Sequence, residues 1–360
     1  MDHRYAPGCA GTLIAVFVPP PFHDRRPGLV APVHVDPDGR AGPTRGQARG
    51  RRWRTTGWGL WIPSDVPQTA AQRTVEAAAV LAADEAVTGW AALAWSGAFW
   101  FDGTWDGVRP RPVTLAARRH LRPPPGCEVS QEFVRPREIV HLDGVPVTVA
   151  VRSVTFEMRY ADSLGAAIEA LDMACYSDLV SLAEVEAYVR QLGPVTGIQQ
   201  ARNALAEADE NSWSPRETRM RGVWTHGAGL RRPLCNVPVF TLDGRHVGTP
   251  DLIDPATGLI GQYHGDSHLT LVGASDDNRQ DADFRDLGLE PVAMFATDWH
   301  DVGGFISRLA AAARRARARS HPRAWTLDAP PWWTPTDTVE RRRALAGWER
   351  KRYLRYRRAA

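Results

Sequence analysis

The strongest constraint on the fold lies between Asp251 and Gly265, where two short apolar runs flank the turn sequence Pro-Ala-Thr-Gly. Turn residues between two such runs predict a β-hairpin. Side-chain alternation along the second strand places Gln262 and His264 on one face and Tyr263 on the other. Because Asp251 begins the first strand, we expect its side chain to converge with those of Gln262 and His264.

The flanking sequence extends this hairpin into a domain. Ser214-Pro215-Arg216-Glu217 has the order N-cap, N1 proline and acidic N3, which predicts the start of a helix ending by Gly227. The runs NVPVFTL, RHVGTPDLI and GLIGQYHG predict a three-strand antiparallel meander. A helix over 276–287, the strand EPVAMFA and a helix over 302–319 follow. This order predicts one compact α/β domain over residues 211–320.

The rest of the chain divides by composition into three further segments. Residues 1–50, rich in Pro, Gly and Arg, predict a disordered leader. Residues 51–210 predict an α+β region of helices, a small sheet and a helical bundle, with Ser153 and Ser181 as helix caps. Residues 321–360 predict a Pro/Trp linker, in which Trp332-Trp333 plugs a groove, and one basic C-terminal helix.

Composition narrows the class of protein. With 43% apolar and 24% charged residues, the chain is typical of a globular protein. No apolar run reaches the length of about 18 residues that a membrane-spanning helix needs. The four cysteines lie far apart in the sequence, which argues against structural zinc and indicates a reduced, cytoplasmic compartment.

Arginine dominates the basic residues, since Lys351 is the only lysine among 44 Lys and Arg residues. The guanidinium fork suits phosphate, so the C-terminal arginines are candidates for nucleic-acid binding. A general bias towards arginine on solvated helix faces is the alternative. The candidates are Arg314, Arg315, Arg317, Arg319, Arg341, Arg342 and Arg343.

The hairpin and the preceding helix together hold the candidates for a divalent-metal site. Asp251, Glu217 and Gln262 are the candidate ligands for Mg²⁺ or Mn²⁺, which bind oxygen atoms. His264 and His268 are the candidate acid and base for hydrolysis of a phosphodiester. Each candidate also has a structural alternative. Glu217 suits a helix cap, Asp251 a turn and His268 a loop surface, whereas the nearby Asp281 suits a pair with Arg285.

The stretch from SPRETRMR to TDWHD resembles an actinobacterial domain related to very-short-patch repair endonucleases, within the restriction-endonuclease-like superfamily. Upstream, WRTTGWGLWIP, TGWAAL and DGVPVTVAVRSV resemble the antitoxins of type IV abortive-infection toxin–antitoxin systems. The two resemblances cover about residues 45–302. They imply a winged helix followed by a larger region, then a nuclease-like domain with a mixed sheet, and a cognate toxin as partner.

The chain departs from the resembled family at the end of the second hairpin strand. The family pattern there is acid-aromatic-Asp-Gly, and Gln262 and His264 occupy its two acidic places. The superfamily's alternative acid-x-Lys pattern is also absent. We therefore expect a DNA-associated regulator or antitoxin-like protein with a degenerate nuclease-like domain. An active Mg²⁺- or Mn²⁺-dependent endodeoxyribonuclease and a non-catalytic protein-interaction module are the alternatives.

Overall fold

The computed structural model describes residues 17–265, 280–320 and 322–358. The described residues form a mixed α and β structure whose strands make five sheets. The chain divides into two compact units. The first comprises residues 1–87 and 108–147, and the second comprises residues 88–107 and 148–360.

The first unit contains most of the strands of the N-terminal half. They are β1 (Pro21–His23), β2 (Arg26–Val30), β3 (Val33–His34), β4 (Trp53–Gly57), β5 (Leu60–Pro63), β6 (Ala86–Thr88), β7 (Val113–Ala116), β8 (Cys127–Ser130), β9 (Ile139–Leu142) and β10 (Val145–Thr148). Its helices are α1 (Arg45–Ala48), α2 (Ala70–Ala78) and a 3₁₀ turn at Pro136–Glu138. The strands form a β1–β2 pair, a β3–β5–β4 sheet and a five-stranded sheet of order β8–β7–β6–β10–β9.

The five-stranded sheet is mixed. Strands β7 and β8 run parallel, as do β6 and β10. Asp143 and Gly144 both have positive φ between β9 and β10, the conformation of a tight hairpin turn, as their Asp-Gly sequence predicts. Of the segment 1–50 expected to be a disordered leader, residues 1–16 lie outside the described residues. The expectation is wrong for residues 21–48, which hold three strands and the capped helix α1.

The second unit begins with a helical bundle. Its helices are α3 (Gly89–Trp95), α4 (Ala150–Tyr160), α5 (Leu164–Tyr176), α6 (Leu182–Arg190) and α7 (Ile198–Glu207). Ser181 caps α6 through the predicted reciprocal bonds with Glu184. The prediction that Ser153 caps a helix is wrong: α4 starts three residues earlier, and the Ser153 hydroxyl donates to the Thr148 carbonyl inside the first turn.

The α/β part of the second unit follows. Its helices are α8 (Pro215–Gly222), a π-helical turn at Val223–Gly227, α9 (280–286), a 3₁₀ turn at Ala296–His300, α10 (Val302–Ala318), α11 (Val339–Ala344) and α12 (Gly347–Tyr353), and a 3₁₀ turn at Arg355–Arg358 ends the described chain. Its strands are β11 (Leu234–Cys235), β12 (Val239–Thr241), β13 (His246–Gly248), β14 (Leu252–Ile253), β15 (Leu259–His264), β16 (Glu290–Phe295) and β17 (Trp325–Thr326). Over the described parts of the chain, every helix is too short or too polar to cross a bilayer.

The predicted three-strand meander is wrong, because its middle strand is divided between two sheets. Residues 246–248 join the sheet β13–β12–β17, whereas residues 252–253 join the sheet β11–β14–β15–β16. Pro250 lies between the two segments and lacks the N–H that a continuous ladder requires. The hairpin of β14 and β15 forms as predicted, with Leu252 opposite Gly261.

Strand β15 separates two hydrophobic clusters. Leu259 packs in the cluster of Trp224 from the π-helical turn and Phe305 from α10. Ile260, which points to the other face, packs in the cluster of Phe284 from α9. The sheet therefore has α8 and α10 on one side and α9 on the other, and the next residues of β15 continue this alternation.

Candidate functional site

The candidate site lies at the carboxyl end of β15, which runs parallel to β16. On the face towards α9, the Gln262 Nε2 group donates to the Gln280 Oε1 atom over 3.4 Å. The His264 ring stacks on the ring of Phe295 with centroids 5.5 Å apart. Carboxyl ends of parallel strands are a common position for ligand sites in α/β folds.

Asp251 reaches this strand end from the neighbouring strand, as the sequence predicts. Its Oδ2 atom accepts the backbone N–H of Tyr263 over 2.6 Å. Its own carbonyl accepts the N–H of Asn236 over 3.0 Å. The carboxylate of Asp251 therefore fixes the backbone of β15 at the position between Gln262 and His264.

Glu217 is a buried capping residue at the start of α8. Its carboxylate accepts the Trp213 N–H over 2.9 Å, the Ser214 hydroxyl over 2.9 Å and the Asn236 Nδ2 group over 2.7 Å. Burial raises the pKa of the Glu217 carboxyl, and the bonds from Asn236, Trp213 and Ser214 act in the opposite direction. The capping role that the Ser-Pro-x-Glu sequence predicts for this acid accounts for the bonds from Trp213 and Ser214, whereas the bond from Asn236 comes from a distant part of the chain.

Within the described residues, the candidate ligands do not fit a divalent cation. A hard cation needs several oxygen ligands, and carboxylates supply most of its binding. Glu217 already accepts three hydrogen bonds, Asp251 holds the β15 backbone, and Gln262 carries no charge. In the described parts of the chain, no three His, Cys, Asp or Glu side chains are grouped to hold a metal ion. His268 lies outside the described residues.

Asp281 on α9 has the partner that its sequence spacing predicts. The Arg285 Nη2 group donates to the Asp281 Oδ2 atom over 3.3 Å, one helical turn away. A pair at this spacing is an ordinary feature of a helix surface. The charge of Asp281 is therefore paired with Arg285 on its own helix.

The opposite face of β15 carries a contact set that sequence reasoning missed. The Tyr263 hydroxyl accepts the Trp299 Nε1–H over 3.3 Å. The Arg216 guanidinium carbon lies 5.7 Å from the centroid of the Trp299 ring. Strand alternation places Tyr263 on this face, but only the fold brings α8 and the 3₁₀ turn at Ala296–His300 beside it.

The α10 arginines divide into those with an ion pair and those without one among the described residues. Arg315 and Arg319 both form ion pairs with Glu290, at 2.7 and 2.8 Å. Arg314 and Arg317 are exposed. Within the described residues neither of these two forms an ion pair. They are the α10 candidates whose charge remains available to a phosphate.

The tail arginines predicted to bind nucleic acid are engaged within the protein. Arg341 pairs with Asp337 and Arg343 with Glu184, at 2.6 and 2.7 Å. The prediction for Arg342 is wrong, because its side chain is fully buried. Its Nε group donates to the Asp178 Oδ1 atom over 2.6 Å, and its other donors reach the carbonyls of Thr336, Cys175 and Glu210.

The tryptophan pair of the linker packs against the β13–β12–β17 sheet. The Trp333 ring lies 5.2 Å from Phe240 and 4.8 Å from His246, measured between centroids. Burial lowers the pKa of the His246 imidazole. The interpretation of Trp332-Trp333 as a plug agrees with these contacts, although 60% of Trp332 remains exposed.

Comparison with known proteins adds no assignment. No family model matches the chain, and no significant match was found among curated proteins or solved structures.

Proposed function

We propose that this protein is a DNA-associated regulator of the antitoxin-like kind, with a nuclease-like domain that does not hydrolyse DNA. The proposal takes residues 211–320 as a restriction-endonuclease-like domain and the region before it as antitoxin-like with a winged helix. One observation supports the proposed absence of catalysis. Of the two acids available for a metal, Glu217 accepts three hydrogen bonds at the start of α8 and Asp251 accepts the Tyr263 N–H.

The exposed arginines of α10 support the association with DNA. Arg314 and Arg317 stand one turn apart on the same helix and extend into solvent. Guanidinium groups of this kind contact phosphates and release counterions from the duplex. Such contacts position a protein on DNA without reading its sequence.

Salt-dependent DNA binding and metal-dependent cleavage, measured on the same preparation, test this proposal. We expect the logarithm of the DNA affinity to fall linearly with the logarithm of salt concentration, with a slope of about −1 per phosphate contact. We expect no nicking of supercoiled plasmid in Mg²⁺ or Mn²⁺. Asp251→Asn keeps a hydrogen-bond acceptor for the Tyr263 N–H, so it is expected to leave DNA binding unchanged.

Three outcomes would contradict the proposal, each in a different way. Nicking that requires the metal and disappears in Asp251→Asn would establish the active endonuclease. A DNA affinity that does not change with salt would remove the phosphate contacts of α10. Failure to bind DNA, together with a stoichiometric co-purifying protein, would establish a protein-interaction module.

A further inference from the structure

A hollow of about 660 Å³ lies among the helices of the second unit. Its lining residues do not include Asp251, Gln262 or His264. Leu164 and Ile168 of α5, Val223 of the π-helical turn, and Val302 and Ile306 of α10 give it mostly apolar walls. Its volume lies within the range of about 300–1,000 Å³ that is typical of sites for small molecules.

Two glycines on neighbouring helices leave this space open. Gly222 ends α8 with ordinary helical angles, φ −61° and ψ −43°. A Cβ atom added there would meet no heavy atom of a neighbouring element within 4 Å. A Cβ atom added to Gly165 of α5 would come no nearer than 3.9 Å to any, the nearest being the Ser163 hydroxyl. Both glycines line the hollow, so neither helix fills it.

A π-helical turn forms one wall. The N–H of Ala228 donates to the carbonyl of Val223 over 2.9 Å, which closes the wide turn over Val223–Gly227. Turns of this kind are rare and occur frequently at functional sites. Trp224 in this turn is buried in the sheet cluster, whereas His226 is exposed and its Nε2 atom lies 2.6 Å from the Glu207 Oε2 atom.

Charged side chains also belong to the lining. Arg219, Arg221 and Arg232 line the hollow together with the single acid Glu207. Arg221 is neutralised by the buried Asp172, and Arg219 by the fork that it forms with Glu169. The shortest bonds of Arg232 go to the neutral carbonyls of Ala208 and Ala206, at 2.6 and 3.1 Å.

Arg232 has the longest ion pair of the three arginines. Its acidic partner, Asp209, lies 3.5 Å away, which is longer than either carbonyl bond. A carboxylate in the hollow would gain a charge-assisted hydrogen bond from this guanidinium. The walls would receive an apolar group, and burial of that group supplies the affinity.

We propose that this hollow binds a small amphipathic carboxylate, with its alkyl chain between α5, α8 and α10 and its carboxylate at Arg232. The proposal is independent of the proposed association with DNA, because it uses none of the residues of the hairpin or of the exposed α10 arginines.

Binding of dodecanoate to the full-length protein tests this site. The naphthalene dye 1-anilinonaphthalene-8-sulfonate reports occupancy by fluorescence, and dodecanoate is expected to displace it with a dissociation constant of about 1–10 μM. Dodecyltrimethylammonium has the same chain length and the opposite charge. It is expected to compete at least about tenfold more weakly, because Arg232 repels it.

The test variant is Gly222→Leu, and Gly193→Leu is its matched control. A Cβ atom at Gly222 meets no neighbouring heavy atom, so Gly222→Leu is expected to place its side chain in the hollow and to weaken dodecanoate binding at least about tenfold. A Cβ atom at Gly193 also meets nothing within 4 Å, but Gly193 does not line the hollow. Gly193→Leu is therefore expected to bind as the wild type does, and thermal unfolding shows whether both variants are folded.

Several results would overturn the proposal. These are the absence of saturable dodecanoate binding to the wild type, equal binding by Gly222→Leu and the wild type, and equal competition by the cationic amphiphile. Sedimentation of the same variants tests whether a second protein chain occupies the hollow. If Gly222→Leu dissociates a wild-type dimer, a second copy of the chain fills the hollow and the small-molecule assignment is wrong.

Discussion

Two arginine-rich segments of the second unit have similar sequences and opposite structural roles. In α10, Arg314 and Arg317 project into solvent, and the ion pairs of Arg315 and Arg319 share a single acid, Glu290. In the tail, three arginines converge on Asp178, which follows α5. Asp178 accepts from Arg342 and Arg350, each over 2.6 Å, and Arg357 lies 3.7 Å from it.

The difference shows that arginine density in a sequence does not identify a phosphate-binding surface. What decides the role is the position of the acids and of the unpaired carbonyls around each guanidinium. Arg342 satisfies three carbonyls and one carboxylate inside the protein. A buried guanidinium of this kind holds chain segments together, because removing it takes one hydrogen bond from each of those acceptors.

The largest effect is expected for Arg342→Gln, which breaks a buried pair. We expect a loss of about 3 kcal/mol in the free energy of unfolding, because Asp178 and three carbonyls each lose the hydrogen bond that Arg342 donates. Urea denaturation measures this loss. Arg341→Gln is the control, since Arg341 is exposed and its pair with Asp337 is expected to contribute less than about 0.5 kcal/mol. Equal losses in the two variants would contradict the distinction between a buried tail arginine and a surface one.

A smaller and different effect is expected for the double substitution Arg314→Gln and Arg317→Gln. Stability is expected to stay within about 0.5 kcal/mol of the wild type, because neither side chain is packed. The slope of DNA affinity against salt is expected to decrease by about two, since each lost phosphate contact contributes about one. Arg341→Gln is again the control and is expected to leave that slope unchanged. An unchanged slope in the double variant would remove α10 from the DNA surface.

The smallest effect is expected for His246 of β13, which contacts Trp333 in the linker between the two segments. The folded-state pKa of His246 is lowered by burial beside Trp333, so the unfolded chain binds more protons in the interval just below the ordinary value of 6.5. Stability is therefore expected to fall as pH decreases through 6.5 towards the lowered value. His246→Phe is expected to reduce this dependence, measured by urea denaturation at several pH values. The same pH slope in both proteins would exclude His246 as its source.

The local elements were largely predictable. The Ser-Pro-x-Glu helix start, the Ser181 cap, the Asp143-Gly144 turn and the hairpin ahead of Gln262 all depend on contacts between residues near in sequence. Short-range hydrogen bonds and the φ preferences of turn residues are specified by such neighbours. The outcome for Ser153 shows the limit, because its hydroxyl bonds to carbonyls of the preceding residues within a helix that had already begun.

The division of the predicted meander depended on distant partners. Strand β12 pairs with β17, which lies more than eighty residues further along the chain, and nothing near β12 in the sequence indicates that partner. Asn236 is a second example. Its side chain donates a hydrogen bond to Glu217 at the start of α8, and its N–H donates to the Asp251 carbonyl. Asn236 therefore connects two candidate ligands, and nothing in the sequence indicates this connection.

The sequence by itself determined which residues occupy the end of the hairpin, because alternation along β15 and the positions of Asp251, Gln262 and His264 are local properties. Only the tertiary structure decided what those residues do. It used Glu217 and Asp251 as hydrogen-bond acceptors for the protein's own N–H groups, and it buried Arg342 while leaving Arg314 and Arg317 exposed. The physical reason is that a charged side chain acts through the donors and acceptors that the fold places around it, and most of these come from distant parts of the chain.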